Sequence, residues 1–110
     1  MKTVIIVNGI GMGHGDTGLG ERIQRTLFNK ARTFKQLESI VFYNAGVKLL
    51  AEGSTALQAL AGLEEHGADL IACGTCIDHF ELREKLRIGK VGSMDEILTE
   101  LEDADKVVTL

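Results

Sequence analysis

Asp69-Leu70-Ile71-Ala72-Cys73-Gly74-Thr75-Cys76-Ile77-Asp78 reads as a short apolar strand that runs directly into a helix. Leu70, Ile71 and Ala72 follow one another without polar alternation, the pattern of a strand covered on both faces. Cys73 stands at the carboxyl end of that strand. Gly74 gives a tight turn with free backbone amides, and Thr75-Cys76-Ile77-Asp78 has the form of a capping box, opening a helix expected to run to about Leu86. A strand passing straight into a helix is half of a β-α-β unit, and such units impose parallel pairing through right-handed crossovers.

The same alternation extends outward in both directions. Toward the N-terminus, Gly67 supplies a helix C-cap after a helix with Leu57, Leu60 and Leu63 on its inner face, for which Ser54 is the expected N-cap. Before it lies a strand, Ser39 to Tyr43, ended by Asn44-Ala45-Gly46. Val4 to Val7 is a β-branched strand, followed by the glycine-rich turn Asn8 to Asp16. From about Thr17 a helix repeats Leu19, Ile23, Leu27 and Ala31 at helical spacing, an apolar stripe expected to face the core. Toward the C-terminus, Arg87 to Val91 allows a short strand. Ser93-Met94-Asp95-Glu96 is a second capping box, with Met94, Ile97, Leu98 and Leu101 expected to face inward, and Lys106 to Leu110 closes as a strand. The expected fold is α/β: three layers (α/β/α), doubly wound, around a mostly parallel sheet, as a single domain spanning residues 1–110.

Composition excludes several classes. Leu, Ile, Val and Phe fill 34 of 110 positions, enough apolar surface to exclude an intrinsically disordered chain. The apolar runs are too short for a membrane-spanning helix. With 12 basic and 16 acidic residues the net charge is −4, the opposite of what a phosphate-backbone binder needs, so nucleic acid is not an expected partner. Proline is absent and glycine numbers 13, so the turns rest on Gly, Asn, Asp and Ser. The first residues lack the apolar core and cleavage site of a signal peptide. With two cysteines only, spaced C-x-x-C, a disulfide scaffold is not expected, and a cytoplasmic protein is.

In open α/β sheets ligands bind beyond the carboxyl ends of the strands. Three loops meet there: Asn8 to Asp16, Asn44 to Lys48, and Cys73 to Cys76. The expected chemistry lies with Cys73 and Cys76, where a helix start favours a thiolate able to hold a persulfide, although Asp78 nearby is expected to raise the Cys76 pKa. Asn44, Lys48, the Met12-Gly13-His14 turn and Asp16 are expected to shape an anion-tolerant pocket around them, with Gly74 and Thr75 supplying amides. Leu49, Leu50 and Ala51 read as an exposed apolar turn suited to an oligomer contact. No metal is expected: Cys73-x-x-Cys76-x-x-His79 offers three ligands where structural zinc takes four, and His14 and His66 are distant along the chain. No cofactor is expected either. Gly13-x-Gly15-x-x-Gly18 has the nucleotide-binding spacing, but it begins five residues beyond Asn8, and Asn44 replaces the acidic residue that would grip a ribose.

Cys73-Gly74-Thr75-Cys76-Ile77-Asp78, with Leu82-Arg83-Glu84-Lys85-Leu86-Arg87-Ile88-Gly89 after it, resembles the C-G-T-C-L-D…L-K-x-K-L-x-V-G signature of YedF-like proteins, the sulfurtransferase-like proteins of selenium metabolism within the DsrE family. Met12-Gly13-x-Gly15-Asp16, Phe42-Tyr43-Asn44-Ala45-Gly46-Val47-Lys48-Leu49, Glu52-Gly53-Ser54 and Ser93-Met94-Asp95-Glu96-Ile97 extend the likeness over nearly the whole chain. Glu81 departs from it, standing where that family usually carries glycine. The resemblance implies the DsrE-like fold, a homo-oligomer, and a sulfur (or selenium) relay in which the strand-end cysteine, Cys73, carries a persulfide; Cys76, three residues on, is then the expected resolving thiol. The partners it implies are a sulfur donor or acceptor protein, including a separate small sulfur carrier, because the C-P-x-P motif of such a carrier is impossible in a chain without proline. The alternative from a different class is a non-catalytic binding or assembly module of the same fold, with small-nucleotide binding at the glycine loop a distant third.

Overall fold

The computed structural model describes residues 1–110. Five strands, β1 (Thr3–Val7), β2 (Leu37–Phe42), β3 (Asp69–Cys73), β4 (Lys90–Gly92) and β5 (Lys106–Thr109), form one sheet in the order β4-β3-β2-β1-β5. Every pairing in it is parallel. The helices are α1 (Thr17–Lys30), α2 (Leu57–Glu65), α3 (Gly74–His79) and α4 (Met94–Asp103), with 3-10 turns at Ala31–Thr33 and Asn44–Leu50. From β1 to β4 each connection steps one place in the same direction, so right-handed crossovers carry α1, α2 and α3 over one face. The connection from β4 to β5 returns past the whole sheet, and the same handedness puts α4 on the opposite face.

Strand alternation divides the core accordingly. Ile5, Val7, Ile40, Phe42, Leu70 and Ala72 pack with Phe28, Leu60, Leu63 and Ile77 from α1, α2 and α3. Val4, Ile6, Val41, Ile71 and Cys73 pack on Ile97 of α4. The first layer is the larger because three helices cover it.

Several expectations change in detail. The buried residues of α1 are Gly20, Gln24 and Phe28; of the expected stripe, Ala31 is buried and Leu27 packs on the core, while Leu19 and Ile23 lie one residue, about 100° of helix rotation, away from the inward line. The cause is Gly20: a Cβ there would lie 2.8 Å from the Met12 carbonyl oxygen, so the glycine loop folds against this turn, and Met12 N–H donates to the Gly20 carbonyl at 3.1 Å. Leu19 and Ile23 are left 53% and 42% exposed. In α4, Ile97 is buried and Leu101 packs on the second core, but Met94 and Leu98 face solvent. Leu49, Leu50 and Ala51 are not an exposed turn; they are buried at the end of a 3-10 helix, held by backbone hydrogen bonds from Glu52 to Lys85 and from Arg87 to Leu50. Ser54 caps the turn just before α2, its Oγ accepting from Ala56 N–H at 3.1 Å. Ser93 caps α4 as its capping box predicts, and Asp16, expected to shape a pocket, instead caps α1.

Candidate functional site

The cysteine pair lies where the crossovers part. After β3 the chain turns into α3 on one face; after the neighbouring β4 it turns into α4 on the other. In a doubly wound sheet the point where adjacent connections diverge is the usual ligand position. Cys73 ends β3 opposite Gly92 of β4. Both strand ends approach closely because glycine allows it: a Cβ on Gly74 would come within 3.3 Å of Val91 Cγ1, and one on Gly92 within 2.7 Å of Ile71 Cγ2.

The helix start falls two residues earlier than Thr75. Cys73 is the N-cap residue of α3 and makes no side-chain capping bond, so Cys76 occupies the third helical position. In a capping box the N-cap and N3 side chains each reach the other residue's backbone N–H, and here both are thiols. Helix α3 also stops at His79, well short of Leu86. Glu81, at φ 56°, turns the chain into the left-handed region, and Leu82 N–H closes the helix on the Ile77 carbonyl at 2.9 Å. Glycine enters that region without a Cβ penalty, which explains why the resembling family carries glycine at this position.

The two sulfurs differ in access. Cys73 is 4% exposed, against the α4 side of the core; Cys76 is partly exposed, and neither is in a disulfide. The Asn44 backbone N–H donates to Cys76 Sγ at 3.1 Å. Asn44 directs its amide there from a left-handed conformation, φ 50°, which Asn tolerates better than most residues. Burial nevertheless dominates: the Cys76 thiol is pushed up from its ordinary value of 9.0, the Asn44 amide pulls it down, and the Cys73 thiol raises it again. The expected first-turn thiolate is therefore outweighed, since a six-residue helix offers little dipole against desolvation. Asp78 is not the cause. Its carboxylate accepts two hydrogen bonds from the Arg83 guanidinium, at 2.8 and 3.1 Å, which hold it below its usual range.

The remaining candidates fall in four places. Asn44, Gly74 and Thr75 adjoin the thiols by chain position or hydrogen bond. Lys48 Nζ sits 4.5 Å above the Phe80 ring just beyond α3, and His79 meets the same ring edge-on. Gly13, His14 and Asp16 line a separate hollow of about 210 Å³ built wholly from the glycine loop and the first turn of α1, and Asp16 Oδ1 is engaged by Leu19 N–H at 2.7 Å. Met12 instead joins Ile23, Leu27 and Phe34 in a shallow apolar surface. No three His, Cys, Asp or Glu side chains gather as a metal ion would require. Beyond the expected site residues, the structure adds Arg83, whose link to Asp78 braces α3, and Gln24 and Arg25, which line a groove beside Lys48. Gly20, Gln24 and Phe28 do repeat at helical spacing, but a stripe containing glycine and glutamine carries no hydrophobic signal.

A five-stranded parallel domain with a C-x-x-C pair at the carboxyl end of a central strand belongs to the class of small, doubly wound thiol proteins. The chain belongs to the DsrE/DsrF-like family, which it matches over residues 1–110, a family associated with sulfur relay. Its fold is similar to that of the YchN protein of E. coli, with a TM-score of 0.73 and 22% identity over 99% of this chain and 98% of that one. MTH1491 of Methanobacterium thermoautotrophicum gives a TM-score of 0.73 at 15% identity, with the same coverage of 99% and 98%. BT1422 of Bacteroides thetaiotaomicron gives 0.66 at 19% identity over 99% of this chain and 95% of that one. Among curated proteins no sequence match is found.

Proposed function

We propose that the protein is a cytoplasmic sulfur-relay protein of the YedF-like type, a homo-oligomer that carries sulfane sulfur, or selenium in its place, on the Cys73–Cys76 pair. The observation that carries this reading is the pairing of a partly exposed thiol with an enclosed one at the N-cap and N3 of α3, at the carboxyl end of β3. Cys76, as thiolate, attacks the outer sulfur of a donor persulfide R–S–SH. The donor S–S bond breaks, R–SH leaves, and Cys76 becomes Cys76–S–S⁻. Cys73 then takes that outer sulfur, giving up its proton to the Cys76 thiolate it releases, and holds the persulfide away from solvent reductants. Delivery to an acceptor protein reverses these steps. The Asn44 amide supports Cys76 whenever it bears charge, as a thiolate or a persulfide anion. Oligomerisation is supported by Leu19 and Ile23, which α1 leaves exposed beside the apolar surface formed with Met12, Leu27 and Phe34.

Mass spectrometry after incubation with a cysteine desulfurase and cysteine tests the reading. The protein is expected to gain one sulfur atom, and Cys76→Ser none. Cys73→Ser is expected to gain it but lose it sooner to added thiol reductant. No gain by the parent protein, or equal gain by the double serine variant, refutes the relay.

A further inference from the structure

The largest groove in the molecule does not contain the cysteines. It lies on the same carboxyl rim, between the middle of α1 and the segment linking the Asn44–Leu50 3-10 helix to α2, and encloses about 410 Å³, within the range of small-ligand sites. Its floor is Gln24, 2% exposed. A buried carboxamide ordinarily satisfies both its oxygen and its nitrogen. Here Nε2 has a single partner, the Gly9 carbonyl at 3.5 Å, and the oxygen receives no hydrogen bond from the protein. That oxygen is not sealed away, since Ser39 Oγ alone is both enclosed and unpaired; it opens into the groove that Gln24 lines.

The charges around the groove are also unspent. The molecule has two ion pairs, Asp78–Arg83 and Glu52–Arg87. The second occupies the groove's Glu52. Arg25 donates to Thr55 Oγ1 at 2.9 Å and is in neither ion pair, although Glu21 precedes it by one turn of α1, and Lys48 has only the Phe80 ring. Glu21, the remaining acid of the lining, has no cation. The lining thus includes two cations, Arg25 and Lys48, and one carboxylate, Glu21, outside any ion pair, together with a carboxamide oxygen that has no protein donor.

We infer that this groove binds a short acidic peptide bearing two carboxylates and one ammonium group. Arg25 and Lys48 take the carboxylates, Glu21 takes the ammonium, and the Gln24 carboxamide bonds a peptide group. A single amino acid leaves one cation and most of the volume unused; a dinucleotide finds no second acidic contact for its ribose and meets Glu21 with its phosphates. The groove is joined to the thiols through one element, since the 3-10 helix that sends the Asn44 amide to Cys76 carries Lys48 one turn further on. That the peptide is a thiol and the source of the relayed sulfur rests on the relay reading; its binding does not.

The test uses reduced glutathione as the probe and the Cys73→Ser/Cys76→Ser protein, so that no sulfur chemistry contributes. Titration followed by amide NMR is expected to shift the residues around Gln24, Arg25 and Lys48 saturably. Arg25→Ala and Lys48→Ala are each expected to weaken binding about tenfold, the loss typical of one charge-assisted hydrogen bond. Glu21→Gln is expected to weaken glutathione but not its N-acetyl derivative, which lacks the ammonium. Gln24→Met, which keeps the core filled, is expected to weaken both. No saturable shift at millimolar probe, shifts confined to another surface, or affinities unchanged in these folded variants would overturn the site. Any of these results leaves sulfur uptake by the parent protein untouched, so the two readings fail separately.

Discussion

Selective alkylation separates the two thiols and tests the geometry on which the relay rests. Cys73 is 4% exposed and Cys76 partly exposed, so iodoacetamide should modify Cys76 from the native state and Cys73 only through a local opening. An opening of about 3 kcal/mol, ordinary for a strand end in a small domain, slows a buried thiol by about two powers of ten. The rate at Cys76 has its own ceiling. With a pKa above 9.0, it is about 1% thiolate or less at neutral pH, so the rate should climb roughly tenfold per pH unit until that pKa is passed. Cys73→Ser removes the neighbouring thiol that raises Cys76, leaving burial opposed by the Asn44 amide. The serine variant should therefore alkylate faster at neutral pH, with its rate profile displaced to lower pH. Peptide mapping of the alkylated protein reads both the order and the pH dependence. Modification of Cys73 ahead of Cys76, or a Cys76 rate already level at neutral pH, refutes the assignment of the reachable, protonated thiol.

Three further outcomes follow from other parts of the molecule. Because the folded-state pKa of Cys76 is raised, the native state holds its proton more tightly than the unfolded chain; its contribution to stability is complete below pH 9.0 and lost as pH rises through the folded value, which urea melts of parent and Cys76→Ser proteins on either side should show. Gly46→Ala would place a Cβ 2.3 Å from the Val7 carbonyl oxygen, a backbone clash expected to cost about 3 kcal/mol or more and to lower Tm by more than about 10 °C; a melting curve unchanged within a few degrees contradicts that packing. Glu81→Gly relieves a left-handed residue, φ 56°, at the expense of greater chain entropy, so a net gain of up to about 1 kcal/mol is expected, and a clear loss of Tm means that the turn is built otherwise.

The layered fold was legible because parallel strands covered on both faces announce themselves as runs such as Val4–Val7 and Leu70–Ala72, whatever surrounds them. Amphipathic helices were less so. Hydrophobicity alone turns Leu19 and Ile23 of α1 inward along with Leu27 and Ala31, since it gives no weight to Gly20, which faces inward because the glycine loop needs its missing side chain. The same blindness hid the groove: Gln24 is buried by position, not by polarity. In α4 the box at Ser93 was read correctly while Met94 and Leu98 were not, because a lone ten-residue helix over one face can bury only a narrow strip.

The position of the capping box shows most plainly where sequence rules stop. Thr75-x-x-Asp78 satisfies the pattern, yet β3 runs on to Cys73 in register with Gly92 of β4, and strand pairing at that point leaves Cys73 as the first residue able to cap. Tertiary pairing outranks a local propensity worth about 1 kcal/mol. The consequence is chemical. Had Thr75 been the cap, Asp78 would have been the N3 partner and Cys76 would have stood inside the first turn beside a carboxylate. With the start moved back by two residues, Asp78 falls beyond the cap and turns to Arg83, and the cap and N3 sites become the two cysteines. The same shift that defeats the helix-start rule therefore brings the thiols together, one enclosed by α4 and one within reach of a donor.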